Sequence, residues 1–371
     1  MTIKKLAYLT PLLVALLPLL GFSVGQASGQ WALASCLTPL VLFIVVPLLD
    51  WIIGRDPSNP SEVESATLSE RRYYRLLTML CFPAYLCTLL FGAWVIANVP
   101  MSPLVMTAWI ASIGLVGGIV AINPAHEMIH KSNAVERSVG GTLLAMVSYG
   151  TFKVEHIAGH HIDVATPKDL TTASMGQTVF GFILRSITKN PSRALELERA
   201  ACLRRGIPWR WYTSESVGWA AVSLVFCALC CLVVSGSPLH TPWIGGLYFL
   251  AQSLIAVALL EIVNYIEHYG LIRRTHCLTD GSLRYERVNH LHSWNANFAL
   301  TNALLFQLQR HSDHHAHSFR RYQTLQHHAD SPQLPAGYAT MILVALIPPL
   351  WFRVMNPRVP KASSSIPSLH L

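Results

Sequence analysis

The sequence predicts an all-α polytopic membrane protein, and three observations carry that prediction. Of its 371 residues, 52% are hydrophobic and 12% charged, against about 25% charged in an ordinary soluble domain. Several apolar runs are long enough to cross a bilayer. The 27 lysines and arginines fall on one side of those runs. Chain-wide apolarity excludes intrinsic disorder and a small disulfide-stapled domain, and ordinary glycine and proline contents exclude collagen-like repeats.

Taken in order, the six runs lie at 7–24, 31–53, 76–98, 103–122, 217–235 and 243–266. At 1.5 Å per residue they reach roughly 27 to 36 Å, which matches a hydrocarbon core of about 30 Å. Helix is required because backbone groups in lipid have no other partner. The first run follows Lys4 and Lys5 and precedes Gly25, Ala27 and Ser28, so a cleaved signal peptide is its rival reading. Its length exceeds the usual apolar core of such a signal, about 7 to 15 residues. The connections 26–30, 99–102 and 235–242 contain no lysine or arginine, whereas Lys4, Lys5, Arg55, Arg71, Arg72 and all later basic residues lie opposite. Both termini are therefore expected inside. The net charge of +8 belongs to that face and suits anionic headgroups; no nucleic-acid motif accompanies it. The chain reads as one catalytic domain, with its chemistry in 123–216 and 267–357, a basic linker at 54–75 and a flexible serine-rich tail at 361–371.

Most of the eight cysteines sit inside apolar runs and read as small packing residues, the Cys227-x-x-Cys230 pair included. Histidine is the unusual count, at seventeen. All but His240 lie on the inner side, and nine of them form four groups. His126-Glu-Met-Ile-His130 places two imidazoles four residues apart on one helical face, just past the fourth run. In Glu155-His156-Ile-Ala-Gly-His160-His161, a regular helix puts His156 and His160 on one face and turns His161 away by about 100°. His311-Ser-Asp-His314-His315 has its three histidines on a single face, able to converge on one site. His268 stands alone at the inner end of the sixth run, where an ionisable residue is a candidate for function.

One four-coordinate metal needs only three or four of these nine side chains, so the count implies two metals. Imidazole suits iron, zinc, copper and nickel, and thiolates are missing from the groups. A pair of irons with open positions uses this much nitrogen donation and suits activation of dioxygen. Glu127, Glu155, Asp163, Glu267 and Asp313 are candidate carboxylates behind the ligands, fixing imidazole orientation, and His292 joins them. His276, His290, His317, His327 and His328 read as structural or exposed.

The residues resemble the membrane-bound alkane monooxygenase family of diiron hydroxylases. The likeness covers His126 to Lys131, Glu155 to His161, Asn264 to Leu271, and Leu308 to Ala316. Arg284 to Arg287 and His292 to Asn295 are also similar, as is the six-span layout, so it runs from about residue 50 to 357. Met128, Ala296 and Arg321 depart from the family's usual residues without touching a ligand position. The resemblance implies hydroxylation of the terminal methyl of a linear alkane, using dioxygen and electrons passed from NADH through a reductase and rubredoxin. It also implies that His126, His130, His156, His160, His161, His268, His311, His314 and His315 bind two irons, with the division between them left open.

An alkane is expected to arrive from the bilayer through an apolar channel between the spans. Arg273, Arg274, Arg310, Arg320 and Arg321 are candidate docking residues for an acidic rubredoxin. The competing readings are a membrane fatty-acyl desaturase or hydroxylase, an aromatic side-chain (xylene-type) monooxygenase, and, more remotely, an intramembrane zinc protease using Glu127 as base or a metal transporter. The protease reading leaves the 311–315 group idle.

Overall fold

Five of the apolar runs form single long helices, Trp31–Ile53, Arg72–Asn98, Pro103–Ile129, Glu215–Ser235 and Trp243–His268. These are the second to sixth spans below. The first run differs from the single helix expected at 7–24. It forms two helices, Lys4–Val14 and Leu17–Ser28, bent by 53°. Pro18 accounts for the break, because it has no N–H to donate and its ring clashes with the carbonyl four residues earlier. The computed structural model describes residues 2–279 and 282–360, without the side chains of Thr2 and Ile3. The tail at 361–371 lies outside the described residues.

The fourth span is the centre of the bundle. It packs against the second, third and sixth spans, and 61% of its apolar window is buried, against 22% for the peripheral fifth span. Small residues allow the close approach: a Cβ on Gly114 would lie 2.7 Å from the Gln252 carbonyl oxygen of the sixth span. The fourth span does not stop near residue 122. It passes through a wide π turn, Gly117–Ile122, and continues as Asn123–Ile129. In that turn the Asn123 N–H reaches back to the Gly118 carbonyl. Pro124, which has no donor, is accommodated just after this shift in the hydrogen-bond ladder.

At the C-terminal ends of the fourth and sixth spans the chain builds a second layer of short pieces. Phe152–Glu155, a π turn at His156–His160 and His161–Asp163 form one irregular helix. His311–Ala316 forms another. The amphipathic helix Val179–Arg204 packs on the first of these and on the sixth span. The sixth span ends at His268, and the chain turns sharply at Gly270. There φ is +71°, and a Cβ would meet Val359 at 2.8 Å, so only glycine fits without strain. The strands among the described residues form one antiparallel ribbon, Thr275–Cys277 with Leu283–Tyr285. All eight cysteines are free.

Candidate metal centre

All nine grouped histidines meet beside the C-terminal ends of the fourth and sixth spans, in two sets. His126, His130, His156, His161 and His314 form one, and His160, His268, His311 and His315 the other. Within each set one nitrogen per ring lies within 4.8 Å of all the others. The sets adjoin, with the rings of His161 and His315 4.4 Å apart between centroids.

This division differs from the regular-helix expectation in two places. His156 and His160 do not share a site; His156 pairs with His161. On a regular helix residues five apart diverge by about 140°, but the π turn at His156–His160 closes i to i+5 and brings them to one face. Their Nε2 atoms are 3.0 Å apart. Nor do the three histidines of the 311–315 group converge. His311 and His315, four apart, join the second set, while His314 faces the first. Each of these two short segments therefore serves both sets.

Nitrogens face one another throughout. In the five-histidine set, His156 Nε2 is 3.0 Å from the Nε2 atoms of both His130 and His161. In the four-histidine set, His315 Nε2 is 3.1 Å from His160 Nε2 and 3.0 Å from His311 Nε2, and His268 Nε2 is 3.3 Å from His311 Nε2. Neutral imidazole has one N–H and one lone pair, so such chains leave lone pairs facing lone pairs. His314 Nε2 is buried with no hydrogen-bond partner among the described residues. A cation at the centre of each set resolves this arrangement, and the donor set of imidazoles, seven buried and two partly exposed, fits a borderline transition metal.

Electrostatics keep the ligating form. Burial, reinforced by the neighbouring imidazoles, holds His130, His156, His161, His311, His314 and His315 well below the ordinary histidine range. That favours the neutral form, the one able to ligate a metal. His160 is the exception. Burial would lower it too, but the Asp169 carboxylate reverses the effect and raises it.

The expected supporting carboxylates are placed differently from the sequence reading. Among the described residues the Glu127 carboxylate hydrogen-bonds to no histidine; it accepts from the Lys131 ammonium at 2.9 Å and the Tyr322 N–H at 3.2 Å. Glu155 is pushed up to about 8 by burial, with Asp169 adding to the effect, and its Oε2 has no partner among the described residues. Asp163 pairs with Arg193 at 3.4 Å. Asp313 is fully buried and accepts from Arg320, His328 and the Gln326 N–H, pinning the loop behind its helix. Glu267 does reach a ligand candidate: Oε2 lies 3.2 Å from His311 Nε2, the inward-facing nitrogen, while Tyr338 donates to Oε1 at 2.8 Å. His292 acts through its carbonyl, 3.2 Å from His268 Nδ1, while its ring bonds Glu286.

Sequence reasoning missed Asp169. It accepts from His160 Nδ1 at 2.9 Å, and the Thr171 and Thr172 hydroxyls donate to it. It sits in a loop eight residues beyond His161, at no helical spacing, so no periodicity points to it. The docking candidates also divide. Arg310 is 2% exposed and donates to Asn297, Leu325, Asp56 and Ser58, and Arg273 is buried and donates to Ile162. Neither can meet a partner, because both guanidiniums tie loops together. Arg320 and Arg321 are half-buried in pairs with Asp313 and Glu136, and Arg274 is exposed.

An apolar cavity runs between the second, fourth and sixth spans. Leu42, Val46, Ile119, Leu259 and Ile342 line it, and it ends on His126 and His311, one ring from each set. Nearly all of its wall is hydrocarbon.

A family model described as fatty acid desaturase matches residues 101–345, which contain all nine histidines. The chain is 44% identical to alkane 1-monooxygenase 2 of Alcanivorax borkumensis over 359 residues, 96% of this chain and 91% of that protein. It is 46% identical to alkane 1-monooxygenase 2 of Pseudomonas aeruginosa over 321 residues, 86% of this chain and 82% of that protein. Likeness to the xylene/toluene monooxygenase hydroxylase component XylM of Pseudomonas putida is lower, at 26% over 349 residues, 94% of this chain and 86% of that protein.

Proposed function

The chain belongs to the alkane 1-monooxygenase family, and on that premise we propose that it hydroxylates the terminal methyl of linear alkanes to 1-alkanols at two irons, using dioxygen and rubredoxin-delivered electrons. The observation that carries the reading is the apolar cavity, which reaches from between the spans to His126 and His311. A linear hydrocarbon is the ligand such a wall accepts, since it offers no hydrogen bond and the lining asks for none.

The nine histidines are the proposed ligands, five for one iron and four for the other. Iron bound there supplies the activation of dioxygen that an unreactive C–H bond demands. The chain's own residues hold, orient and exclude. Burial keeps the imidazoles neutral and ready to donate. Asp169 fixes the His160 ring through Nδ1, and the His292 carbonyl does the same for His268. The side chains of Ile119, Leu259 and Ile342 keep water from the reacting end and leave a methyl as the group that fits. Discrimination between alkanes of neighbouring length is expected to be shallow, as one methylene in an apolar pocket is worth about 1 to 3 kcal/mol.

The inner membrane, with both termini inside, is the proposed location, and the one-sided basic residues support it. Rubredoxin, reduced by an NADH-dependent reductase, would dock at that face. Arg274 is the candidate left fully available, and its charge reversal should slow reduction and flatten the salt dependence. Xylene-type oxidation is the less supported reading, in keeping with 26% identity to the XylM component against 44% and 46% to the alkane enzymes. Turnover of an alkane series with rubredoxin, its reductase and NADH, followed by chromatography, tests the proposal. 1-Alkanols are expected; olefins from acyl substrates, or benzylic alcohols in preference to alkanols, would overturn it.

A further inference from the structure

Outside the two histidine sets the cavity has few polar lining groups, and all but one of them are engaged. Asn264 donates to Glu261 at 3.3 Å, Thr301 to Asp50 at 2.5 Å, and Tyr338 to Glu267 at 2.8 Å. Asn123 is different. It lines the cavity beside His126, it is 6% exposed, and its amide Nδ2 is buried with no hydrogen-bond partner among the described residues. It also lines a small void with Glu127, Phe306, Leu325 and His314. The amide therefore stands between the hydrocarbon cavity and the five-histidine set.

Its placement is built into the helix. The π turn Gly117–Ile122 ends at Asn123 and shifts the face that the following residues present. Asn123 and His126, three apart on the next turn, then line the same cavity. Buried amides are ordinarily satisfied, so an unpaired one calls for an explanation.

An alkane methyl cannot satisfy an amide. A primary alcohol can, because its hydroxyl both donates and accepts, whichever end of the amide faces it. We infer that Asn123 is the binding site for the hydroxyl of the terminal alcohol, which the cavity acquires when alkane becomes product. The inference rests on the proposed alkane chemistry and adds a discriminating contact to it. Asn123 is unpaired while alkane is bound and paired when the alcohol has formed. It thereby favours the oxygen-bearing end of the chain at the metal end of the cavity, and it should make the 1-alkanol a competitive inhibitor.

The experiment measures binding rather than turnover. The full-length holoenzyme in nanodiscs, without reductant, is titrated with 1-decanol and with undecane, which has the same number of heavy atoms, each in competition with labelled dodecane. Asn123→Leu keeps the approximate volume and removes the hydrogen bond. It should raise the ratio of the 1-decanol Kd to the undecane Kd by about tenfold, the scale of one buried hydrogen bond. Asn123→Ser, which restores a hydroxyl, should recover part of the loss. A merely structural role would weaken both ligands together and leave the ratio within twofold of wild type, which would overturn the inference. Should Asn123→Leu fail to assemble, the wild-type ratio decides: undecane held tenfold or more tighter than 1-decanol would overturn it equally. Wild-type conversion of decane to 1-decanol, assayed separately, tests the alkane reading on its own.

Discussion

The two histidine sets are built by different means. In the four-histidine set every ring is buried, and outside groups hold it. Asp169 bonds His160, the His292 carbonyl meets His268, and Glu267 reaches His311. In the five-histidine set, His130 and His161 are partly exposed, and among the described residues its imidazoles hydrogen-bond only to one another. Packing orients that set instead, with Phe152 stacked on His156 at 4.6 Å. One site is fixed by hydrogen bonds around four donors. The other has less external support and one donor more.

Ligand removal should break the comparison most visibly. His315→Ala leaves three imidazoles in the four-histidine set and should abolish alkane turnover and lower bound iron by about one ion per chain. His161→Ala still leaves four in the other set, so metal analysis should find more iron retained and residual turnover. Equal losses would show that the fifth donor is not spare. His314→Ala also leaves four, but it removes a buried donor where His161→Ala removes a partly exposed one, so it should lose turnover. Removing the stacked ring comes next. Phe152→Ala should destabilise the protein by about 3 to 5 kcal/mol, as for a large buried aromatic, read in thermal denaturation, and should loosen metal at the five-histidine set first.

Asp169→Asn sharpens the other side. It should weaken metal binding at the four-histidine set by about 10- to 100-fold and leave the five-histidine set unchanged in a metal titration. The smallest effect is with pH. Histidines held neutral by burial in the metal-free protein take up protons on unfolding near their ordinary value of about 6.5, so the unfolded state binds more protons and stability falls as pH falls through that value. From pH 7 to 6 the loss should be less than about 1 kcal/mol per imidazole. Four depressed rings, His130, His156, His161 and His314, lie in the five-histidine set. In the other set His160 shifts the opposite way, so Asp169→Asn should steepen the pH dependence of chemical denaturation.

Most of this layout was legible in the sequence. Apolar runs placed the spans, and histidine spacing placed the nine rings, because both signals repeat at the period of a helix. What stayed hidden is where the helix departs from that period. π turns at Val41–Val45, Gly117–Ile122 and His156–His160 all adjoin the cavity or the histidines. A residue string carries no fixed signature for i to i+5 bonding, so regular helical spacing groups His156 with His160 where the π turn groups it with His161. Pro18 could have foretold the bend in the first span. Asp169 and the burial of Arg310 are long-range results, set by loops that meet only after folding.

The most direct measurement is metal analysis of the full-length protein purified after growth with iron. About two irons per chain are expected, falling to about one in His315→Ala. A single zinc per chain, or an iron content that His315→Ala leaves untouched, would contradict the assignment of two histidine sets to two irons.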